Sequence, residues 1–239
     1  MPIFIGYFQF PMSKNQNLKI IYEDNHLLVV CKPPGILIQG DVTGDITLLS
    51  IAKEYLKEKY QKQGNVYIGL VHRLDRPASG VVVFARTSKA AECLMKQFQQ
   101  RQTRKIYQCL VTGQVPESGT WSDRIERREV NSFIVKGEAN AELSFRCLDY
   151  KNTISLVEVD LRTGKHHQIR VQFAQRGFPV IGDFRYVSKI KFPERAIALH
   201  ARSLSIIHPT LKEEMTFSCE QEAGWDDFLL QTYKAGRSL

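Results

Sequence analysis

No stretch of this 239-residue chain approaches the ~18–20 consecutive apolar residues that span a bilayer, and no repeat, low-complexity tract or Gly/Ser linker interrupts it. A membrane-spanning helix, a solenoid and a string of tethered modules are therefore not expected. The apolar opening MPIFIGYFQFP has no basic region before it and no small-residue cleavage site after it, which argues against a secretory signal. There is no H-E-x-x-H, no G-x-x-x-x-G-K-[ST], no G-x-G-x-x-G after a strand and no G-x-S-x-G, so zinc-protease, P-loop, dinucleotide and serine-hydrolase chemistry lose their usual support. The five cysteines form no C-x-x-C pair, are odd in number, and mostly lie in apolar segments. They read as reduced, largely buried residues of a cytosolic protein.

Cation excess is what the chain does have. Lys and Arg number 33 against 25 Asp and Glu, a net charge of +8, in an otherwise globular composition of 43% hydrophobic and 24% charged residues. The excess is concentrated. Residues 86–105 hold Arg86, Lys89, Lys96, Arg101, Arg104 and Lys105 against Glu92 alone, and 161–182 hold Arg162, Lys165, Arg170 and Arg176 with no carboxylate. Two basic segments of this kind suit a surface that follows phosphates, hence a nucleic-acid partner.

The patterning predicts short strands at 19–22 and 27–31 around the turn EDNH, the second stopped at Lys32-Pro33-Pro34-Gly35. A helix over 46–60 follows from the period of Ile46, Leu49, Ala52, Leu56 and Tyr60. Strands are expected at 68–71 and 81–85, then a helix capped by Thr87 or Ser88 with Ala91, Leu94, Met95 and Phe98 on its core face. Further strands read at 106–112, 141–150, 154–162, 197–209 and 215–220, and a closing helix at 225–233. Strand outweighs helix, and the connections are long. The fold class is α+β, with a mixed, largely antiparallel sheet and flanking helices. Residues 1–18 are expected to be an N-terminal extension, within which Met12 is a second candidate start; no linker marks a boundary in 19–239.

Two segments could carry chemistry. VHRLDRPASG (71–80) is a polar island between apolar strands, with one carboxylate, Asp75, among His72, Arg73 and Arg76, and with Pro77 and Gly80 to fix a turn. Three neighbouring potential cations would keep Asp75 ionised. LRTGKHHQIRVQFAQRGFPVIGD (161–183) is expected to start a short helix near Lys165 or His166 and end it at Gly177. On that helix His166 and Arg170 would stand one turn apart, Ile169 and Phe173 would form an apolar stripe, and Arg170 could reach inward to a carboxylate.

HLLVVCKPPGILIQGD (26–41), HRLDRPASG (72–80), KIYQCLVTG (105–113), LRTGKHHQIRVQFAQRGFPVIGDFRY (161–186) and ALHARSLSIIHP (198–209), in this order, resemble the RluA-type family of RNA pseudouridine synthases. The blocks run from about Lys19 to Phe217. The resemblance implies the pseudouridine synthase fold for 19–239, a catalytic domain alone without an added N-terminal RNA-binding domain. It also implies isomerisation of uridine to pseudouridine in ribosomal or transfer RNA, with no cofactor and no metal. Asp75 matches the catalytic aspartate, Arg170 the arginine that pairs with it, and Tyr107 the ring that stacks on the uracil. Arg73 matches a position that fills the space left by the flipped nucleotide. His72, Lys105, Lys165, His167 and Ile169 fall in the same blocks as substrate-binding candidates. Two positions depart from the family pattern: Ala78 stands where the turn usually has threonine, and His166 where a small hydroxyl residue precedes His-Gln-Ile-Arg. The chain is expected to be a cytoplasmic monomer.

Two other classes fit the charge. A non-catalytic RNA-binding module would bind RNA without product. A metal-dependent nuclease would need convergent carboxylates, which 161–182 lacks.

Overall fold

A computed structural model describes residues 18–40, 45–193, 196–221, 224–225 and 228. The extension expected at 1–17 and most of the closing helix expected at 225–233 lie outside the described residues. The chain forms two compact units. The first takes the chain up to Thr103 together with Ser203–Cys219; the second takes Arg104–Arg202 and the chain from Glu220. The chain passes between the units at Thr103/Arg104, Arg202/Ser203 and Cys219/Glu220, at or inside strands, and none of these points carries the Gly/Ser/Pro signature of a linker.

In the first unit, β1 (Lys19–Glu23) pairs antiparallel with β2 (Leu27–Lys32) across a turn organised by Asp24. Its Oδ1 accepts the backbone N–H groups of His26 and Leu27 at 2.8 and 2.7 Å, and its Oδ2 meets His208 Nε2 at 2.8 Å. Thr47 caps α1 (Leu48–Lys59) with a capping box closed by Ser50. The two-residue strand β3 (Gly69–Leu70) and β2 both pair with β4 (Ser79–Ala85), every residue of which is buried. Thr87 caps α2 (Ser88–Gln99).

The buried face of α2 is Ala90, Ala91, Leu94 and Gln97, while Met95 is exposed. Hydropathy had placed Met95 and Phe98 on that face, and Phe98 does pack half-buried against the core. Gln97 is buried in place of Met95 because its amide accepts the Ile207 N–H at 2.8 Å and donates to the Ile207 carbonyl at 2.7 Å, a backbone service no apolar residue could give.

Cys31 and Cys219 form a disulfide inside the apolar cluster of this unit, which corrects the reading of all five cysteines as reduced. They are 188 residues apart in sequence, and only the folded sheet brings their Cα atoms to 6.1 Å. Cys93, Cys109 and Cys147 are free thiols. Burial pushes the Cys109 thiol far above its ordinary range, which makes it a poor nucleophile.

Glu23 closes β1 as a buried acceptor. Lys59 Nζ reaches it at 2.7 Å, Tyr55 and Tyr60 hydroxyls at 2.7 and 2.6 Å, and Arg86 Nη1 at 3.0 Å. Burial alone would raise this carboxyl, but the hydrogen bonds from Lys59, Tyr60 and Tyr55 outweigh it and hold the pKa below the ordinary glutamate value. A depressed folded-state pKa gives stability that is complete above the unfolded value of 4.5 and is lost as pH falls through the lower folded value. The thermal midpoint is therefore expected to drop on acidification below about pH 4.5, and Glu23→Gln is expected to lower it at neutral pH while flattening that acid dependence. Thermal melts of both proteins from pH 3 to pH 7 check this.

In the second unit, β5 (Arg104–Thr112), β6 (Ser118–Arg128), β7 (Asn131–Val135), β8 (Ala141–Lys151) and β9 (Ile154–Leu161) form an antiparallel array in the order β5-β9-β8-β6-β7. The hairpin β6–β7 was not foreseen, because its alternating apolar positions are diluted by seven charged residues between Asp123 and Lys136. α3 (Gln168–Gln175) follows the β9 exit and ends before Gly177, whose φ of +84° lies in the left-handed region that favours glycine. It starts later than the sequence suggests, so His166 lies outside it and does not share a helical face with Arg170. The strand β10 (Leu199–Ile207) belongs to the second unit through Arg202 and to the first from Ser203, where it pairs antiparallel with β11 (Glu214–Ser218).

Candidate active site

Asp75 lies in the first unit on the loop that leads into β4, half-buried, and its carbonyl accepts the Ala78 N–H at 3.1 Å to close a tight turn through Arg76 and Pro77. Ala78, where the family pattern usually has threonine, is itself buried. The loop is held from below by Lys32, a fully buried lysine at the end of β2. Its Nζ donates to the carbonyls of Pro33, Arg76 and Ala78 at 2.9, 3.1 and 2.6 Å. An ammonium has three donors and no acceptor, so one side chain satisfies three inward-facing carbonyls of two turns. The Gly35 N–H adds a further bond to the Arg76 carbonyl at 2.8 Å.

The cations near Asp75 have separate duties. Arg76 Nε donates to the Gly35 carbonyl at 2.9 Å and its Nη2 pairs with Asp45 at 2.9 Å. His72 stacks on Phe98 with ring centroids 4.8 Å apart, and its Nε2 accepts the Val83 N–H at 3.0 Å. Arg73 is exposed. Two of the three potential cations thus fasten the loop to its surroundings.

Lys32→Met is expected to leave the loop carbonyls without their donor, lowering stability by about 2–4 kcal/mol and freeing the loop. Tryptic cleavage after Arg73 is the measurement, and it should accelerate well beyond the rate set by global unfolding.

In the second unit, Tyr107 stands half-buried on β5 opposite Val159. Lys105 Nζ lies 3.4 Å from the Thr163 carbonyl. The turn between β9 and α3 is tied by Gln168, whose Oε1 accepts Thr163 Oγ1–H at 2.7 Å and the Lys165 N–H at 3.0 Å while its Nε2 donates to the Glu142 carbonyl at 3.1 Å. Lys165 is exposed and Ile169 is buried.

His167 takes φ +56° as the N-cap of α3, and Asn, Asp and His are the non-glycine residues most often found there. Its ring stacks on His166 at 3.7 Å, and its Nδ1 lies 2.9 Å from the Tyr186 hydroxyl. His166, the other departure from the family pattern, lies 2.9 Å from Ser132 Oγ through Nδ1. Tyr186 OH accepts the Ser132 N–H at 2.9 Å, and burial pushes its hydroxyl pKa up.

Arg170 is buried, and its fork meets Asp183 side-on, Nε to Oδ2 at 2.6 Å and Nη2 to Oδ1 at 2.9 Å. The guanidinium also sits 5.1 Å from the centroid of the Tyr186 ring. Asp183, the partner of Arg170, is a residue that the motif reading quoted but assigned no part; its only signal was a carboxylate just past the acid-free segment 161–182.

The two basic segments are thinner than their sequence. Arg86 is spent on Glu23, Arg170 on Asp183, and Arg176 on Asp123 at 3.0 Å with its guanidinium 4.4 Å from the Trp121 ring. Lys96 pairs with Glu92 and Arg104 with Asp160.

Residues 26–175 match the family model described as RNA pseudouridylate synthase. The chain belongs to this family. Among curated proteins, an RNA pseudouridine synthase of Aquifex aeolicus, described as uncharacterized, is 35% identical over 87% of this chain and 71% of its own length. The ribosomal large subunit pseudouridine synthase D of Pseudomonas aeruginosa is 32% identical over 83% of this chain and 66% of its own. An uncharacterized RNA pseudouridine synthase of Chloroflexus aurantiacus is 40% identical over 61% of this chain and 48% of its own. The chain thus spans about half to about seven-tenths of these relatives. Human RNA pseudouridylate synthase domain-containing proteins 4 and 1 share the fold, at TM-scores of 0.73 and 0.71 with 23% and 24% identity. They cover 90% and 94% of this chain, which covers 92% and 98% of theirs. This pseudouridine synthase family fold is the α+β arrangement expected from the strand pattern. Among the described residues no helix is long and apolar enough to cross a membrane, and no group of three or more His, Cys, Asp or Glu side chains is placed to hold a metal.

Proposed function

We propose that this chain isomerises uridine to pseudouridine in large-subunit ribosomal RNA, with residues 19–239 as the catalytic domain. The observation that carries the site assignment is the Lys32 grip on the Asp75 loop, which holds a half-exposed carboxylate on a fixed backbone. Ribosomal RNA is preferred to transfer RNA because the Pseudomonas aeruginosa relative is named for the large ribosomal subunit.

Asp75 is the catalytic carboxylate. The reaction breaks the N-glycosidic bond, turns the uracil and joins its C5 to the ribose, so no atom is gained or lost and no electron donor is needed. Three routes are open to a carboxylate: attack at the anomeric carbon, attack at C6 of the ring, or removal of a ribose proton. Arg170 is the cation that orients it. Asp183 takes two of the five donors of the guanidinium, and in this reading others serve Asp75. Tyr107 holds the detached uracil by its face, which resists rotation less than a hydrogen bond would. Arg73 fills the place of the flipped base, and His72, Lys105, Lys165, His167 and Ile169 shape the substrate contacts. The enzyme works as a monomer in the cytoplasm.

Transcripts of large-subunit ribosomal RNA and of transfer RNA, incubated separately with the purified protein, test the substrate. Pseudouridine is expected in the ribosomal transcript; its appearance only in transfer RNA would overturn that choice.

A further inference from the structure

The two basic segments read from sequence lose Arg86, Arg170 and Arg176 to internal pairs, so the RNA-holding charge must come partly from elsewhere. Residues 184–191 offer it. The segment alternates strictly from Arg185: Tyr186 and Ser188 point inward and are buried and Ile190 packs on the apolar core, while Arg185, Val187, Lys189 and Lys191 are exposed. Phe184 heads this outward row and is 62% exposed.

The loop is rigid for reasons internal to the second unit. The Gly182 N–H bonds the Ile190 carbonyl at 3.0 Å and closes it into a ring, and the Ser188 N–H bonds the Asp183 carbonyl at 3.0 Å. Tyr186 is bonded to Ser132, and Arg185 Nη1 donates to the Val130 carbonyl and Asn131 Oδ1 at 3.1 and 2.8 Å, tying the loop to the tip of the β6–β7 hairpin. Val187 is held at φ +63° while 70% exposed. A β-branched residue in that region is strained, and such strain persists only where surrounding structure imposes it.

A single exposed aromatic needs no explanation. This one stands on a fixed loop beside three outward cations, and the carboxylate that precedes it, Asp183, is buried against Arg170. An exposed π-face flanked by cations on a preorganised backbone is the recognition chemistry of an unpaired base with its phosphates.

We propose that 184–191 is an RNA-holding face: Phe184 stacks on an unpaired base, and Lys189 and Lys191 neutralise phosphates beside it. This rests on the reading of the chain as an RNA-modifying enzyme.

The test uses the full chain carrying Asp75→Asn, so that binding is measured with chemistry off. The probes are a labelled 20-nucleotide oligouridylate and a labelled large-subunit ribosomal RNA transcript. Adding Phe184→Ala should weaken binding of the single strand about 10-fold or more, the loss of one stacked base. Phe184→Trp should restore it and Phe184→Leu should not. The double change Lys189→Gln and Lys191→Gln should reduce the salt slope by about 0.7 per lost contact. In the Asp75-intact enzyme, Phe184→Ala should raise KM and leave kcat unchanged.

Unchanged affinity in the Ala variant overturns the proposal, as does rescue by Leu equal to that by Trp. Loss of self-association without loss of RNA affinity would also overturn it and assign the face to a second copy of the chain. If the wild-type enzyme makes pseudouridine while these variants bind normally, only this inference fails. If the Asp75→Asn parent binds neither probe, the RNA reading fails with it.

Discussion

Asp75→Asn is expected to reduce pseudouridine formation below detection while RNA affinity stays within about twofold of wild type. Asparagine keeps the size and polarity of the side chain and removes the charge, the nucleophile and the base together. Acid–base assistance alone is commonly worth about 10²–10⁴-fold, and a covalent route would lose more. The fold should not change: the turn is held by backbone atoms, through the Ala78 N–H bond to the Asp75 carbonyl and the three bonds from Lys32. Product counted in RNA digests, with affinity from a filter-binding titration, separates an enzyme from an RNA-binding module of the same fold. Product at the wild-type level would remove Asp75 from the chemistry.

Arg170→Ala is expected to be the most destabilising of these changes. It strands Asp183, a carboxylate with only 2% of its side chain exposed, and breaking a buried pair by removing one partner costs about 3–5 kcal/mol. For a domain of this size that is roughly a 10 °C fall in the unfolding midpoint. A structural role alone would be answered by apolar replacement. The double variant Arg170→Met with Asp183→Leu removes both charges and should recover most of the midpoint. Turnover should not recover under the role proposed for Arg170, which requires its guanidinium. Arg170→Lys keeps the charge without the fork and should lower kcat about 100-fold with KM little changed. Recovery of turnover in the apolar double variant would make Arg170 purely structural.

The strands and helices of the first unit were legible because each carries its own signal. β2 and β4 are apolar runs stopped by Pro33 and by Arg86, Thr87 announces α2, and a helical period announces α1, although Ile46 and Tyr60 of that period are exposed. Hydropathy failed where burial is set by a partner. Gln97 is inside because Ile207 offers both backbone groups, and Cys31 meets Cys219 because β2 and the end of β11 converge. The β6–β7 hairpin was hidden by its charges. The motif blocks singled out the loop of Asp75 and the segment of Arg170. Lys32, which holds the first, is a long-range contact that no spacing records, whereas Asp183 and Tyr186 around the second lie in the quoted block 161–186, which gives no sign of their part.

Conversion of uridine to pseudouridine replaces the C5–H bond of uracil by a bond to ribose. RNA labelled with tritium at uridine C5 therefore reports the central claim directly, by release of the label to water. Wild-type protein should release one tritium for each pseudouridine formed, and Asp75→Asn should release none while binding the same RNA. No release by the wild type, or equal release by Asp75→Asn, would contradict the account.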